Sequence, residues 1–240
     1  MIVFIKSSIN GLCSCGGYCL CPIMVFMGEL LDVYDLNGRF VEVQERNKFY
    51  SSTYEEFKRT GSITRMVTTV RAMLLSSDGK LYLQQRSSAS LFAAGLLDQT
   101  IGGHVRAGRS LWLTVSIECL EELSIPAIVA PQNEFGDAVQ EIDLRGMAVF
   151  KELSIDNKHV GISRDVKSGE TYLLPCRAAF YIGYYDGPFR FADGSVSGVR
   201  VMSISELDSI VNNPTAMVAE SLRSFFQKYK NAFVPRSSLI

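Results

Sequence analysis

From residue 29 onward, apolar and polar positions alternate in short runs broken by turn residues, a pattern of strands with few long helices. Leu31-Asp32-Val33-Tyr34-Asp35 and Arg39-Phe40-Val41-Glu42-Val43 flank Asn37-Gly38, which predicts a hairpin closed by an Asn-Gly turn. Residues 54–60 form a polar bridge, helical or irregular. Residues 68–75 predict a strand, Asp78-Gly79 turns the chain, and residues 80–86 return. A loop over 87–94 leads to a short strand, 96–101, that feeds Gly102-Gly103. Further on, residues 145–154 predict a strand, 156–168 a polar excursion, 172–185 a β-rich stretch stopped by Gly187-Pro188, and 199–203 another strand. Two helices follow. One opens at Ser205-Glu206-Leu207; the other spans 214–230, where Met217, Leu222, Phe225, Phe226 and Tyr229 form a helical stripe suited to core packing.

One helical segment, 111–125, carries chemistry. Glu118, Glu121 and Glu122 are spaced i, i+3 and i+4 and so share one helix face. Three like charges this close repel, whereas a hard divalent cation such as Mg²⁺, which prefers oxygen ligands, would reverse the sign of the interaction. A Gly-Gly pair and a short loop precede the glutamates and Pro126 follows, giving the order strand, glycine loop, acidic helix, stop. Taken alone, such a triplet is more often a solvated helix face than a metal site.

The stretch from Gly103 to Ile125 resembles the signature of the Nudix hydrolases, Gly-x5-Glu-x7-Arg-Glu-U-x-Glu-Glu-x-Gly-U, where U is apolar. Gly103 matches the first glycine, Glu118 the Glu of Arg-Glu, Cys119 the first U, Glu121 and Glu122 the Glu pair, and Ile125 the last U. Three positions depart: Arg109 replaces the first Glu, Ile117 the Arg, and Ser124 the last Gly. Ile117 cannot make the ion pair that holds the loop on the helix, and Ser124 gives up the residue that takes a left-handed C-cap without strain. Outside this box, residues 31–39, Leu81-Tyr82-Leu83-Gln84-Gln85-Arg86, Gly95-Leu96-Leu97-Asp98 and Gly187-Pro188-Phe189 resemble, in their order, the subgroup related to isopentenyl diphosphate isomerase. The isomerase chemistry itself is excluded, because Gly102 fills the place of its catalytic cysteine and Cys119 stands at an apolar helix position.

The resemblance implies an α+β fold, a Nudix-type α/β/α sandwich with a mixed β-sheet. It implies a Mg²⁺-dependent hydrolase, with Mn²⁺ as an alternative ion, cleaving a diphosphate linkage in a nucleoside diphosphate derivative or related small molecule. Glu118, Glu121 and Glu122 would hold the metal and Glu121 and Glu122 would be catalytic. Gly103, Arg109 and Arg86 would meet the substrate. Arg109 is either a lost metal ligand or a positive charge placed beside the phosphates. Glu141 and Glu170, in polar loops, are candidates for a general base, while Ser195 and Gly198 stand where relatives tend to carry acids. His104 fits loop packing better than a base. The three departures also support an alternative, a catalytically weak or inactive Nudix-fold protein that binds a nucleotide or a partner.

Composition narrows this reading. The chain has 240 residues, 24 Lys+Arg against 25 Asp+Glu, and 47% hydrophobic residues. The near-neutral balance argues against nucleic acid and anionic membranes as partners, and no apolar run approaches the roughly 20 residues of a membrane span. A domain over 29–235 in a cytoplasmic protein accounts for the pattern; oligomeric state stays open, and the resemblance admits a homodimer because family members often dimerise. Residues 1–28 read as a tail. Four of the six cysteines, Cys13, Cys15, Cys19 and Cys21, crowd into it, with a spacing that matches no zinc motif and an apolar content too broken for a secretory signal; translation starting at Met24 or Met27 explains it best. Cys119 and Cys176 read as core residues.

Overall fold

The computed structural model describes residues 28–88, 93–165, 167–189 and 196–239. Its elements run β1 (Leu30–Asp35), β2 (Phe40–Glu45), α1 (Arg46–Thr60), β3 (Arg65–Leu75), β4 (Leu81–Arg86), β5 (Leu97–Asp98) and β6 (Ile101–His104). They continue with α2 (Leu111–Leu123), β7 (Ala127–Val129), α3 (Phe135–Glu141), β8 (Ala148–Arg164), β9 (Thr171–Tyr184), β10 (Val196–Met202), α4 (Ile204–Val211) and α5 (Glu220–Tyr229).

Strand β3 is buried on both faces and organises the sheet. It pairs in parallel with β9 and antiparallel with β1, β4 and β6. The main path of the ten-stranded mixed sheet is β10-β4-β3-β9-β8-β7. Because successive side chains on a strand face opposite sides, β3 feeds two cores. Val70, Ala72 and Leu74, with Ala179 and Tyr181 of β9, receive Val115, Cys119 and Leu123 of α2. Met73 and Leu75, with Phe180 and Ile182, receive Phe135 and Val139 of α3, Leu207 and Val211 of α4, and Leu222, Phe225 and Phe226 of α5. The result is helix, sheet, helix. α1 covers a third cluster of Leu31, Val33, Val67, Tyr172 and Leu174.

The N-terminal hairpin forms as its Asn-Gly turn requires, with Gly38 at φ +80°. Elsewhere the structure corrects the pattern. The bridge at 54–60 is the end of a 15-residue helix whose first turn is capped by the Glu45 carboxylate accepting the Lys48 N–H at 3.0 Å. Gly102-Gly103 lies inside strand β6 rather than in a loop, and the single strand at 96–101 is two, β5 and β6. Thr100 lies at the break, its hydroxyl accepting the Leu74 N–H at 2.9 Å. The excursion at 156–168 largely continues β8, a 17-residue strand paired with β9 and irregular near Ser154 and His159. The last helix starts later than its stripe suggests: residues 217–219 hydrogen-bond to Leu97, leaving Met217 67% exposed outside it. β7 and α3 were not apparent in the pattern. Part of the 87–94 loop, 89–92, lies outside the described residues. Among those described, no helix is long and apolar enough to cross a membrane.

Candidate metal and phosphate site

Helix α2 is positioned at both ends. Ser110 caps its start, accepting the Leu113 N–H at 3.4 Å. The preceding loop is tied to β1: the Ala107 N–H donates to the Leu30 carbonyl at 2.8 Å and the Gly108 N–H to Asp32 Oδ2 at 3.0 Å. At the other end Ser124 adopts the left-handed conformation (φ 57°, ψ 32°) that the family pattern gives to glycine. Its N–H reaches the Leu120 carbonyl at 3.0 Å, so the cap forms despite the side chain. Glu121 and Glu122 lie in the last turn, which carries no basic residue, at the negative end of the helix dipole.

Glu118 points at β6. A Cβ added to Gly103 would overlap its carboxyl carbon and come within 2.6 Å of Oε2, so the carboxylate lies on bare glycine backbone. Burial pushes its pKa up to about 7, and the carboxylates of Glu121 and Glu29 push the same way; Arg106 and Arg109 oppose them. Glu29 is shared between Arg46, at 2.8 Å, and Arg106, at 3.7 Å. Beside this group a cavity of about 330 Å³ is lined by Gly28, Glu29, Leu30, Arg106, Ala107 and Arg109. Nη1 of Arg109 is buried there without a hydrogen-bond acceptor.

Glu122 turns elsewhere. Gln84, 3% exposed on β4, donates to Glu122 Oε2 and to the Thr100 carbonyl, each at 2.6 Å. The structure thus couples Glu118 with Glu121 and hands Glu122 to Gln84. Among the described residues, no group of three or more His, Cys, Asp or Glu is gathered tightly enough to hold a metal ion.

The remaining expected residues are placed as follows. Arg86, at the end of β4, reaches Asp98 at 3.9 Å. His104 packs as expected: its Nε2 lies 2.6 Å from the Tyr50 hydroxyl, on the sheet face opposite Glu118. Glu141 ends α3 and is not in a loop; Glu170, beside β9, accepts the Tyr54 O–H at 2.7 Å. Gly198 is in β10, whereas Ser195 and the cysteines of residues 1–26 lie outside the described residues. Cys119 and Cys176 are buried, and burial pushes both thiols up. Glu29, Arg106 and Gln84 did not emerge from the sequence as site residues, because Glu29 and Gln84 lie far from α2 along the chain and Arg106 stands at an unspecified position of the signature.

No protein-family model matches the chain, and no curated protein sequence matches it. Solved structures do. A crystal structure of DR0079 from Deinococcus radiodurans aligns with TM-score 0.55 and 19% identity over 83% of this chain and 98% of that one. A MutT protein from Methanosarcina mazei Go1 aligns at 0.46 and 17% identity, over 69% and 93%. The NUDIX domain of Shewanella oneidensis NrtR, complexed with ADP ribose, aligns at 0.44 and 18%, over 75% and 99%. The mixed sheet between α2 and the α3–α5 layer is therefore an α+β sandwich with the fold of DR0079.

Proposed function

We propose that residues 29–235 form a hydrolase that cleaves a diphosphate linkage in a nucleoside diphosphate derivative or related small molecule, using Mg²⁺ held by α2. The observation that carries this reading is the placement of Glu118 on Gly103, next to Glu121 and Glu29 and beside a cavity bearing Arg106 and Arg109. Neighbouring carboxylates that repel one another, one of them half-buried, are a donor set that suits a hard cation. Glu118 and Glu121 would hold the ion, with Glu122 joining on release from Gln84. Bound there, Mg²⁺ would offset charge on the phosphate oxygens and acidify an attacking water.

The chain's own residues supply the rest. Arg109, which lines the cavity, donates from its guanidinium to a phosphate oxygen and stabilises the charge that builds on it. Arg106 is already half neutralised by Glu29, so it steers rather than clamps. Glu121, exposed at the helix end, accepts the proton of the attacking water as the bond to phosphorus forms and the P–O bond of the bridging oxygen breaks. Gly103 leaves room for Glu118 and the substrate at one strand.

The Glu122–Gln84 hydrogen bond and the Arg109 replacement favour a second reading, a weak or inactive protein that binds a nucleotide. A phosphate-release screen of nucleoside diphosphate derivatives with Mg²⁺ or Mn²⁺ separates the two. Turnover abolished by Glu121→Gln supports the hydrolase. Ligand-induced thermal stabilisation without turnover supports the binder.

A further inference from the structure

The chain has only two histidines, and the positive charge of Arg71 bears on both. In β3, Thr69 is paired with His104 and Arg71 with Gly102, so these side chains share a face, and Val70 and Gly103 share the other with Glu118. On the far side of β9, His159 is paired with Cys176 and meets the Phe180 ring edge-on, with centroids 5.6 Å apart. The Arg71 guanidinium extends over this surface until its Nη2 is 3.8 Å from where a Cβ on Gly161 would be. Glycines therefore stand beside Arg71 on β6 and β8.

The charge here is one-sided. Arg46 is paired with Glu29 at 2.8 Å, and Lys228 with Asp156 at 2.9 Å. Arg71 makes no ion pair among the described residues, and its Nε and the Thr69 hydroxyl are buried with no nitrogen or oxygen acceptor, the Arg71 and Thr69 side chains meeting only the Cys176 thiol. The groups facing the two rings are Arg46 and Tyr50 at α1, Arg71 on β3, Cys176 on β9, Asp156 on β8 and Lys228 on α5. Burial, and then Arg71 together with Arg46 at His104, holds His104 down to about 3 and His159 to about 4. A partly buried arginine flanked by two histidines, with side-chain donors that meet a thiol rather than an oxygen, is a donor set open to an anion.

We propose that Arg71, His104, His159 and Thr69 form an oxyanion-binding site, suited to a phosphate group, on the sheet face opposite the α2 carboxylates. It stands whether or not the hydrolase reading does. A phosphate here lets the guanidinium donate in its fork geometry and draws protons onto both rings.

The test uses the full chain in chelator-treated buffer without metal, with the two histidine ring C–H signals followed by NMR. Inorganic phosphate is titrated in one arm and adenosine monophosphate in a second, against chloride at equal ionic strength. Saturable shifts of both rings are expected with phosphate; a tighter midpoint with the nucleotide identifies the source as a nucleoside phosphate, an equal one as free phosphate. Arg71→Met should remove the shifts, and Arg71→Lys, the gentler change, should weaken binding at least tenfold while the wild-type melting profile persists. Arg109→Gln should leave them unchanged. Rings that move no more than in chloride, or an Arg71→Lys midpoint equal to wild type, overturn the site.

Discussion

The carboxylate of Glu118 rests on the backbone of Gly103, two residues from different elements that touch only because position 103 has no side chain. A methyl there displaces the tip of a flexible side chain rather than backbone. Gly103→Ala should therefore keep the fold, with stability within about 1 kcal/mol of wild type by urea unfolding. Its Mg²⁺-dependent turnover should fall at least tenfold, because Glu118 is driven off the strand. A variant that loses stability but keeps its rate per folded molecule contradicts the assignment.

Glu118 also sets a pH dependence. Its folded pKa, about 7, lies above the ordinary 4.5, so the native state binds the extra proton between those values. Stability from this group then falls as pH rises from 4.5 toward 7 and is level outside that window. The histidines act in the opposite sense: their lowered values mean that stability is lost as pH falls below 6.5 toward 4. The difference between Glu118→Gln and wild type isolates the carboxylate. Thermal melts should show the variant gaining on wild type steadily from pH 4.5 to 7, and Mg²⁺ should shrink that gain. A pH-independent difference would show that Glu118 titrates normally.

How far the site could be read ahead follows from which residues obey local rules. The acidic triplet, the Asn-Gly hairpin and the central strand were legible because a helical face, a turn and a buried run each leave a local pattern. Gln84 and Glu29 were not, since each matters only through partners remote in sequence, Glu122 on α2 for one and Arg46 and Arg106 for the other. The 156–168 segment misled because half of its strand faces solvent: Val160 and Ile162 are 51% and 59% exposed, and their polar neighbours mimic a loop. The two-residue β5 and three-residue β7 are too short to leave any period.

Gln84 is a test of the polar interior. It satisfies both the Thr100 carbonyl and Glu122 from a nearly closed position. Gln84→Leu should cost about 1–3 kcal/mol, since two acceptors lose their donor. Its effect on turnover separates two roles for Glu122. Faster turnover at low Mg²⁺ would show that Gln84 holds Glu122 away from the ion, as the reading above requires.

Ser124 stores a small strain. A non-glycine residue at φ 57° costs about 1 kcal/mol, so Ser124→Gly should raise the melting temperature by roughly 2–4 °C with turnover unchanged. A lower melting temperature would mean that the serine side chain stabilises the cap.

Arg109 decides between a lost ligand and a gained charge. Arg109→Glu should raise KM at least tenfold if its guanidinium meets a phosphate, about 1.4 kcal/mol of binding. Higher Mg²⁺-dependent turnover in that variant would instead mark position 109 as a ligand site given up.

The most direct measurement is a Mn²⁺ titration followed by electron paramagnetic resonance, comparing wild type with Glu118→Gln and Glu121→Gln. Wild type should deplete the free-ion signal with a saturable midpoint, and each variant should weaken that binding at least tenfold while melting normally. Equal depletion in all three proteins, or none in wild type, would remove the cation from α2 and with it the hydrolase.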